Sequence, residues 1–301
     1  MNFLTFFETI ANNGLIFGIL GIGVFITFRI LDFADLTVDG SFTLGGAVFS
    51  ILAINGVSFP IAMIIAILAG AGAGLITALL HCYLGIPGIL AGILTQLMLY
   101  SLNLVIMSGS NLSTPSRGSL ISATEPGLSI AIFAVFAVCI IALLYWFFGT
   151  KFGASVRCVG SNEQMSKANG INVKTRKITA LMISNAIVAL SGALFSRYMG
   201  LADVKIGTGK IVVALAAIII GGAIVKKWGK NFALQLLFVV VGGFIYSLVY
   251  QVVGLLLKNQ DLLKMISAIV VTIFIAFPYI KSHYIEGAKA KHNRNKQKEA
   301  E

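Results

Sequence analysis

Long runs of apolar residues follow one another along nearly the whole chain. A helix needs about 20 apolar residues to cross the hydrocarbon core of a bilayer, and lipid obliges each such segment to satisfy its own backbone hydrogen bonds. Only 11% of the 301 residues are charged, whereas a soluble domain carries about 25%. The sequence therefore predicts an all-α fold, a polytopic transmembrane helical bundle. The runs cover residues 11–30, 42–54, 60–80, 85–107, 128–148, 178–198, 211–225, 231–257 and 263–280.

The lengths of these runs set the number of spans. The runs at 42–54 and 211–225 are short for a full crossing. The run at 85–107 would count twice if its helix broke near Gly92. We therefore predict nine spans, or ten with that break.

Basic residues are concentrated in two polar segments, which indicates the orientation of the bundle. Residues 151–177 carry six basic side chains against one acidic, and residues 281–301 carry six against three. The positive-inside rule places both in the cytoplasm, and the even number of runs between them agrees. The net charge of +11 therefore reflects topology and indicates no nucleic-acid partner.

The same count divides the chain into regions. We predict a membrane domain at residues 1–280, which contains a cytoplasmic loop at 150–177, followed by a basic cytoplasmic tail at 281–301. The KKWGK turn at 226–230 is expected inside, and the loop at 108–127 outside. The N-terminus is then external with nine spans and internal with ten.

Small residues at helix-contact spacing indicate a compact bundle. A glycine every fourth residue lets two helix backbones approach closely in lipid. The glycine pairs are Gly14 and Gly18, Gly70 and Gly74, and Gly88 and Gly92.

The sequence also contains a candidate internal repeat. Residues 40–81 and 209–250 align without gaps, so that Gly74 is opposite Gly243. This is either a chance match of apolar stretches or two related halves, as in many transporters.

Acidic residues cluster between the first two runs. Three of the eleven in the chain, Asp32, Asp35 and Asp39, fall within residues 29–46. Acidic groups at membrane depth are costly and face a bundle interior or water, and Gly40 permits a break before a new helix. The segment is either part of a translocation path or a solvated cytoplasmic hairpin.

Other polar residues interrupt the apolar runs and are candidates for the same path, although each could instead form an interhelical hydrogen bond. The predicted path residues are Asp35, Thr37, Asp39, Ser41, Thr43, Gln96, Asn103, Ser184 and Asn185.

The cytoplasmic loop contains the signals of a short helix at residues 162–169. Ser161 and Gln164 have the spacing of a capping box, Glu163 lies in the first turn, and Lys167 lies late, as the helix dipole favours. Gly170 is placed as a C-terminal stop. Such a helix either contacts a partner protein or only joins two spans.

Several kinds of catalytic site are excluded. The segment ending in Gly209-Lys210 resembles a phosphate loop, but Val204 stands where that motif needs glycine and Ile211 where it needs serine or threonine. No protease, hydrolase or paired-carboxylate motif occurs, and the three cysteines have no metal-ligand spacing. We expect no enzyme activity, ATP site or metal site in this chain. Asp203, Lys205 and Lys210 are expected in an external loop.

Two stretches together resemble a known family. ILDFADLTVDGSFTLGGA and the later GSNEQMSKANGINVKTRKITAL are similar to the permeases of ABC importers for branched-chain amino acids and ribose, and LAAIIIGGAI resembles their second half. The resemblance covers residues 14–255. DLTVDGSF resembles a subgroup assigned to tryptophan and tyrosine uptake. Asp35-Leu36 replaces the family's His-Gly, so that type's substrate contacts do not carry over.

The resemblance implies an ATP-driven importer of a small solute, an amino acid with aromatic ones favoured, in the bacterial plasma membrane. It implies an ATPase subunit that binds ATP and Mg, an extracellular substrate-binding lipoprotein at 108–127 and 202–210, and a second permease copy. The alternative is an ion-coupled secondary transporter that uses the aspartates. The expected ATPase-coupling residues are Ser161, Asn162, Glu163, Gln164, Met165, Lys167, Ala168, Asn169 and Gly170.

Overall fold

The computed structural model describes residues 3–114, 126–225 and 231–256, with the separate positions 269, 272 and 276. These residues are almost entirely helical. The elements are α1 (Phe3–Phe25), which continues as a π-helical turn (Ile26–Ile30), α2 (Val38–Ile54), α3 (Phe59–Cys82), α4 (Gly88–Met107), β1 (Asn111–Ser113), α5 (Pro126–Gly149), α6 (Lys151–Ser161), α7 (Glu163–Ala168), α8 (Val173–Met199), β2 (Leu201–Asp203), α9 (Lys210–Val225) and α10 (Phe232–Leu256).

Six helices in the described ranges are long and apolar enough to cross a membrane: α1 with its π-helical turn, α3, α4, α5, α8 and α10. The two shorter apolar helices, α2 and α9, are the two runs that the sequence marks as short. Helix α4 is continuous through Gly92, so the alternative that counts this run twice is wrong. The tail at 281–301 and the turn at 226–230 lie outside the described residues, and so does the run at 263–280 apart from the separate positions 269, 272 and 276.

The chain between α1 and α2 is not helical, although the break lies earlier than the sequence indicates. Asp32 has a φ of +53°, and the Thr37 N–H donates to the Asp35 carboxylate at 2.9 Å. Helix α2 then begins at Val38, so Gly40 lies inside it. The predicted turn at Gly40 is wrong, because its missing side chain serves instead to bring α2 against Leu99 of α4.

The three glycine pairs lie at close contacts, and two of them lie between helices as predicted. A Cβ atom at Gly74 would collide with the carbonyl oxygen of Leu181 in α8, and one at Gly18 would lie 2.9 Å from the Cα atom of Val240 in α10. Gly92, by contrast, packs on Leu36 in the non-helical segment before α2. Close backbone contact of this kind is how helices associate in lipid, and it gives the bundle its compact core.

The described elements fall into two halves with the same order: a long, a short and a long helix. The halves are α1–α2–α3 and α8–α9–α10. Gly74 in α3 packs on α8, and Gly243 in α10 packs on Gly14 and Gly18 in α1, so the last helix of each half crosses onto the first helix of the other. This arrangement supports the repeat that the sequence suggests.

The bundle has two distinguishable ends. We call one the basic end; it carries α6, α7 and the π-helical turn, and Gly160 of α6 packs against the carbonyl of Ile30. We call the other the strand end; there β1 pairs antiparallel with β2, with Asn111 opposite Asp203. Helix α1 runs towards the basic end and α8 runs away from it, so the two halves are inverted relative to each other.

Candidate functional site

The N-termini of the two short helices meet at one carboxylate. Asp39 lies in the first turn of α2, and its two oxygens accept the backbone N–H groups of Gly209 and Ile211, each at 2.8 Å. Those groups belong to the start of α9, which begins at Lys210. A carboxylate at a helix N-terminus satisfies orphan donors and complements the helix dipole. Asp39 therefore joins the two half-helices.

A small cavity of about 100 Å³ opens beside this junction. Four of the predicted path residues line it: Asp39, Thr43, Gln96 and Asn103. Tyr100 also lines it, although no spacing in the sequence singles this residue out. The cavity can hold a few water molecules or one polar group, whereas sites for whole small ligands usually measure 300 Å³ or more.

Asn103 has an unusual environment in this cavity. Its side chain is 1% exposed, and its Nδ2 lies 3.4 Å from the carbonyl oxygen of Gly40. Within the described residues its Oδ1 has no hydrogen-bond partner. A buried amide oxygen without a donor costs about 1–3 kcal/mol. The lining of the cavity therefore includes a residue whose amide oxygen is an unsatisfied acceptor.

Other predicted path residues form a closed hydrogen-bonded network away from the cavity. Ser41 donates to the Asn185 Oδ1 at 2.6 Å, and the Asn185 Nδ2 donates to Asp35 at 2.7 Å. The hydroxyls of Thr37 and Thr77 lie 2.7 Å apart; Thr77 was not anticipated, although it is a polar residue within an apolar run. The network ties the chain around Asp35 to α3 and α8.

Ser184 and Lys210 have roles within the bundle. Ser184 donates to the carbonyl oxygen of Gly23 at 2.8 Å and so links α8 to α1. Lys210 was expected in an external loop, which is wrong: it begins α9, and its ammonium lies over the rings of Phe17 at 4.5 Å and Phe195 at 4.7 Å. Such cation–π contacts stabilise a partly desolvated charge. The rings come from different helices, so no local pattern reveals them.

Helix α7 begins one residue later than predicted. The Asn162 Oδ1 accepts the Met165 N–H at 2.9 Å, so Asn162 is the N-cap. The predicted cap, Ser161, is wrong, because Ser161 ends α6 and donates its hydroxyl to Cys158 at 3.0 Å. The predicted stop is confirmed: Gly170 has a φ of +73°, which favours glycine.

One face of α7 is held by charges while the other is open. Glu163 forms ion pairs with Lys167 at 2.9 Å and with Lys177 of α8 at 2.7 Å, and hydrogen bonds from the two lysines lower the pKa of Glu163 to about 2. Met165 is 65% exposed, an apolar side chain on an otherwise polar surface. The remaining expected coupling residues, Gln164, Ala168 and Asn169, are also exposed.

The anchored face of α7 connects to the non-helical segment beside the path. The Lys177 Nζ lies 3.4 Å from the His81 Nε2 at the end of α3. The ring of His81 in turn contacts that of Phe33, with centroids 5.1 Å apart, and Phe33 precedes Asp35 in the chain. A continuous series of contacts therefore joins Glu163 to the network around Asp35.

Comparisons with known proteins agree with one another. Residues 6–276 match the family described as the permease component of branched-chain amino acid transport systems. The chain is 40% identical to the tyrosine transport system permease protein of Clostridioides difficile (strain R20291) over 269 residues, 89% of this chain and 90% of that one. It is 27% identical to the D-allose transport system permease protein AlsC of Escherichia coli (strain K12) over 231 residues, 75% and 69% of the two chains.

A solved structure shares the fold. It is an inward-facing ABC transporter assigned to the metal-chelate type, with a TM-score of 0.53 and 15% identity, and the likeness covers 92% of this chain and 85% of that one. At this identity the comparison concerns the helical architecture alone.

Proposed function

The chain belongs to the permease-component family of branched-chain amino acid transport systems, and we propose that it carries an aromatic amino acid into a bacterial cell. It is a multi-pass membrane permease of an ABC transporter. The relative that is 40% identical is named for tyrosine transport, and this supports an aromatic substrate. The observation that carries the mechanism is α7, a capped helix with an open face and an ionic anchor on the bundle.

In this mechanism α7 is the element on which a separate ATPase subunit acts. A helix of six residues is unstable alone, so its two caps and the Glu163 ion pairs maintain a surface that a partner can push. The ATPase binds ATP and Mg, and this chain passes on the movement. The contacts from Lys177 through His81 to Phe33 are our proposed route to the path, and they favour one of two conformations as the ATPase closes.

The path itself is proposed to pass the junction of α2 and α9. The supporting observations are the cavity beside Asp39 and the unpartnered Asn103 oxygen. A cavity of about 100 Å³ is too small for an aromatic amino acid, so in this proposal the passage is closed. Movement of the two half-helices at their common carboxylate would enlarge it.

The orientation and the remaining partners follow from the two ends. We propose that the basic end faces the cytoplasm, because it carries Arg29, α6 and α7. The strand end is then external and receives a substrate-binding lipoprotein near β1 and β2. A second copy of the chain completes the pore, and the apolar helix faces that remain exposed contact lipid.

Reconstitution tests this function. Liposomes that contain the permease and its ATPase, supplied with the binding protein and ATP, should accumulate labelled tyrosine, and vanadate should stop the uptake. The matched control contains an ATPase whose phosphate-loop lysine is replaced. Uptake without an ATPase, or uptake abolished by an uncoupler but unaffected by vanadate, would establish an ion-coupled carrier and contradict the proposal.

A further inference from the structure

A second cavity lies at the basic end, separate from the path and from the open face of α7. Its volume is about 360 Å³, which is within the range of small-ligand sites. It lies between the end of α1, α6 and the start of α10. Three apolar side chains line it, Phe25, Ile30 and Phe232, together with Arg29, Arg157 and Gln235.

The described residues that line this cavity carry positive charge and no negative charge. Among the described residues, Arg29 and Arg157 are the charged ones that line it. Neither forms an ion pair with another described residue; Glu163 pairs with lysines instead. Arg157 is held in place, because its Nη2 donates to the Phe148 carbonyl at 2.5 Å and its guanidinium lies 5.8 Å from the Phe232 ring. Two guanidinium groups without a carboxylate form a site for a phosphate-like anion.

The apolar lining distinguishes a lipid from a soluble anion. Phe25 lies one turn nearer the bundle interior than Arg29, so this part of the apolar lining is deeper in the membrane than the arginine. Phe25 and Phe232 contact each other, with ring centroids 6.3 Å apart, and form part of that lining. A lipid with an anionic headgroup can contact both the arginines and the apolar lining, whereas free phosphate can contact only the arginines.

We propose that this cavity binds an anionic phospholipid of the adjacent leaflet, with its phosphate between Arg29 and Arg157. Basic pockets between membrane helices bind such headgroups. Through these two arginines the ligand would connect the end of α1 to α6, which already meet where Gly160 packs on the Ile30 carbonyl. Because α7 follows α6 directly, a bound lipid fixes the base of the helix proposed to meet the ATPase.

The test is lipid binding by the purified full-length permease, measured by native mass spectrometry and by thermal unfolding. The probes are phosphatidylglycerol, phosphatidylcholine and inorganic phosphate. The variant is Arg29→Gln, whose side chain is exposed. The matched control is Lys151→Gln, which removes an exposed charge from the same end without touching the cavity.

We expect phosphatidylglycerol to bind and stabilise the wild type more than phosphatidylcholine does. Arg29→Gln should weaken that binding about fivefold, which corresponds to roughly 1 kcal/mol for one arginine near an anionic surface, and Lys151→Gln should leave it unchanged. Equal binding of the two lipids, an equal effect of both variants, or equal stabilisation by inorganic phosphate would overturn the proposal.

Two further results decide the remaining cases. If Arg29→Gln does not fold, the salt dependence of the wild type serves instead: rising salt should release phosphatidylglycerol but not phosphatidylcholine, and an identical response of both would overturn the site. If Arg29→Gln retains the full lipid response but no longer binds the ATPase, the cavity receives that protein and the lipid assignment is wrong.

Discussion

The N-cap of α7 offers a sharp test, because two adjacent residues compete for the role. Asn162 accepts the Met165 N–H at 2.9 Å, whereas Ser161 donates backwards to Cys158. Replacing an N-cap asparagine by alanine costs about 1 kcal/mol. Since a six-residue helix has no stability of its own to spare, Asn162→Ala should shift its folding equilibrium by about fivefold.

The assay is a titration of the ATPase subunit onto the permease in nanodiscs. If the ATPase binds the folded helix, Asn162→Ala should raise the dissociation constant about fivefold. Ser161→Ala should change it by less than about twofold, since its hydroxyl is exposed and bonds only within α6. Asn162→Asp should restore binding, because aspartate caps as well as asparagine.

Hydrogen exchange gives an independent reading of the same contact. The Met165 amide should exchange faster in Asn162→Ala and at the normal rate in Ser161→Ala, because only the first loses its acceptor. If Ser161→Ala weakens ATPase binding fivefold while Asn162→Ala does not, the assigned cap is wrong. If neither variant changes binding although exchange speeds up, α7 is not the ATPase contact.

Three other predictions concern packing, the half-helix junction and pH. Gly45→Ala should lower the free energy of unfolding by about 2–3 kcal/mol, because its Cβ would collide with a backbone carbonyl of α8. Gly72→Ala has free space and should be neutral or stabilising by up to about 1 kcal/mol. Thermal unfolding in detergent compares the two variants, and a larger loss of stability for Gly72→Ala would contradict the packing. Asp39→Asn leaves one oxygen for two N–H donors and should cost about 1–3 kcal/mol by the same measurement; an unchanged midpoint would show that the carboxylate does not hold α9. The pKa of Glu163 is lowered to about 2, so its ion pairs contribute fully above the ordinary pKa of about 4.3 and are lost as the pH falls from there towards 2. The protection factors of the α7 amides, which are corrected for the intrinsic pH dependence of exchange, should therefore be equal at pH 7 and 5 and fall at pH 3; a fall already at pH 5 would refute the shift.

Patterns within a few residues allowed much of the fold to be predicted. The apolar runs predicted the helices, because in lipid only a helix or a closed barrel satisfies all of its backbone hydrogen bonds. The resemblance in residues 14–255 is confirmed by the family match. Spacing also predicted two of the three glycine contacts between helices and the stop at Gly170. The first depends on the helix period and the second on one residue's allowed backbone angles.

The choice of N-cap is a feature that such local patterns could not predict. Ser161 and Asn162 are both good caps, and the capping-box spacing favoured the first. The end of α6 decided between them, and that helix is positioned by Gly160 against Ile30. Two residues equal in local preference were therefore separated by a contact with a distant part of the chain.

The sequence by itself determined that the chain is a membrane bundle with a short capped helix on a basic loop, because hydrophobicity, helix period and capping act locally. Only the tertiary structure decided how the polar groups are used. Asp39 meets donors 170 and 172 positions away, and Asp35 meets Asn185 across 150 positions. Which of them faces the cavity and which closes a network depends on how α2, α8 and α9 pack, and no local preference specifies that packing.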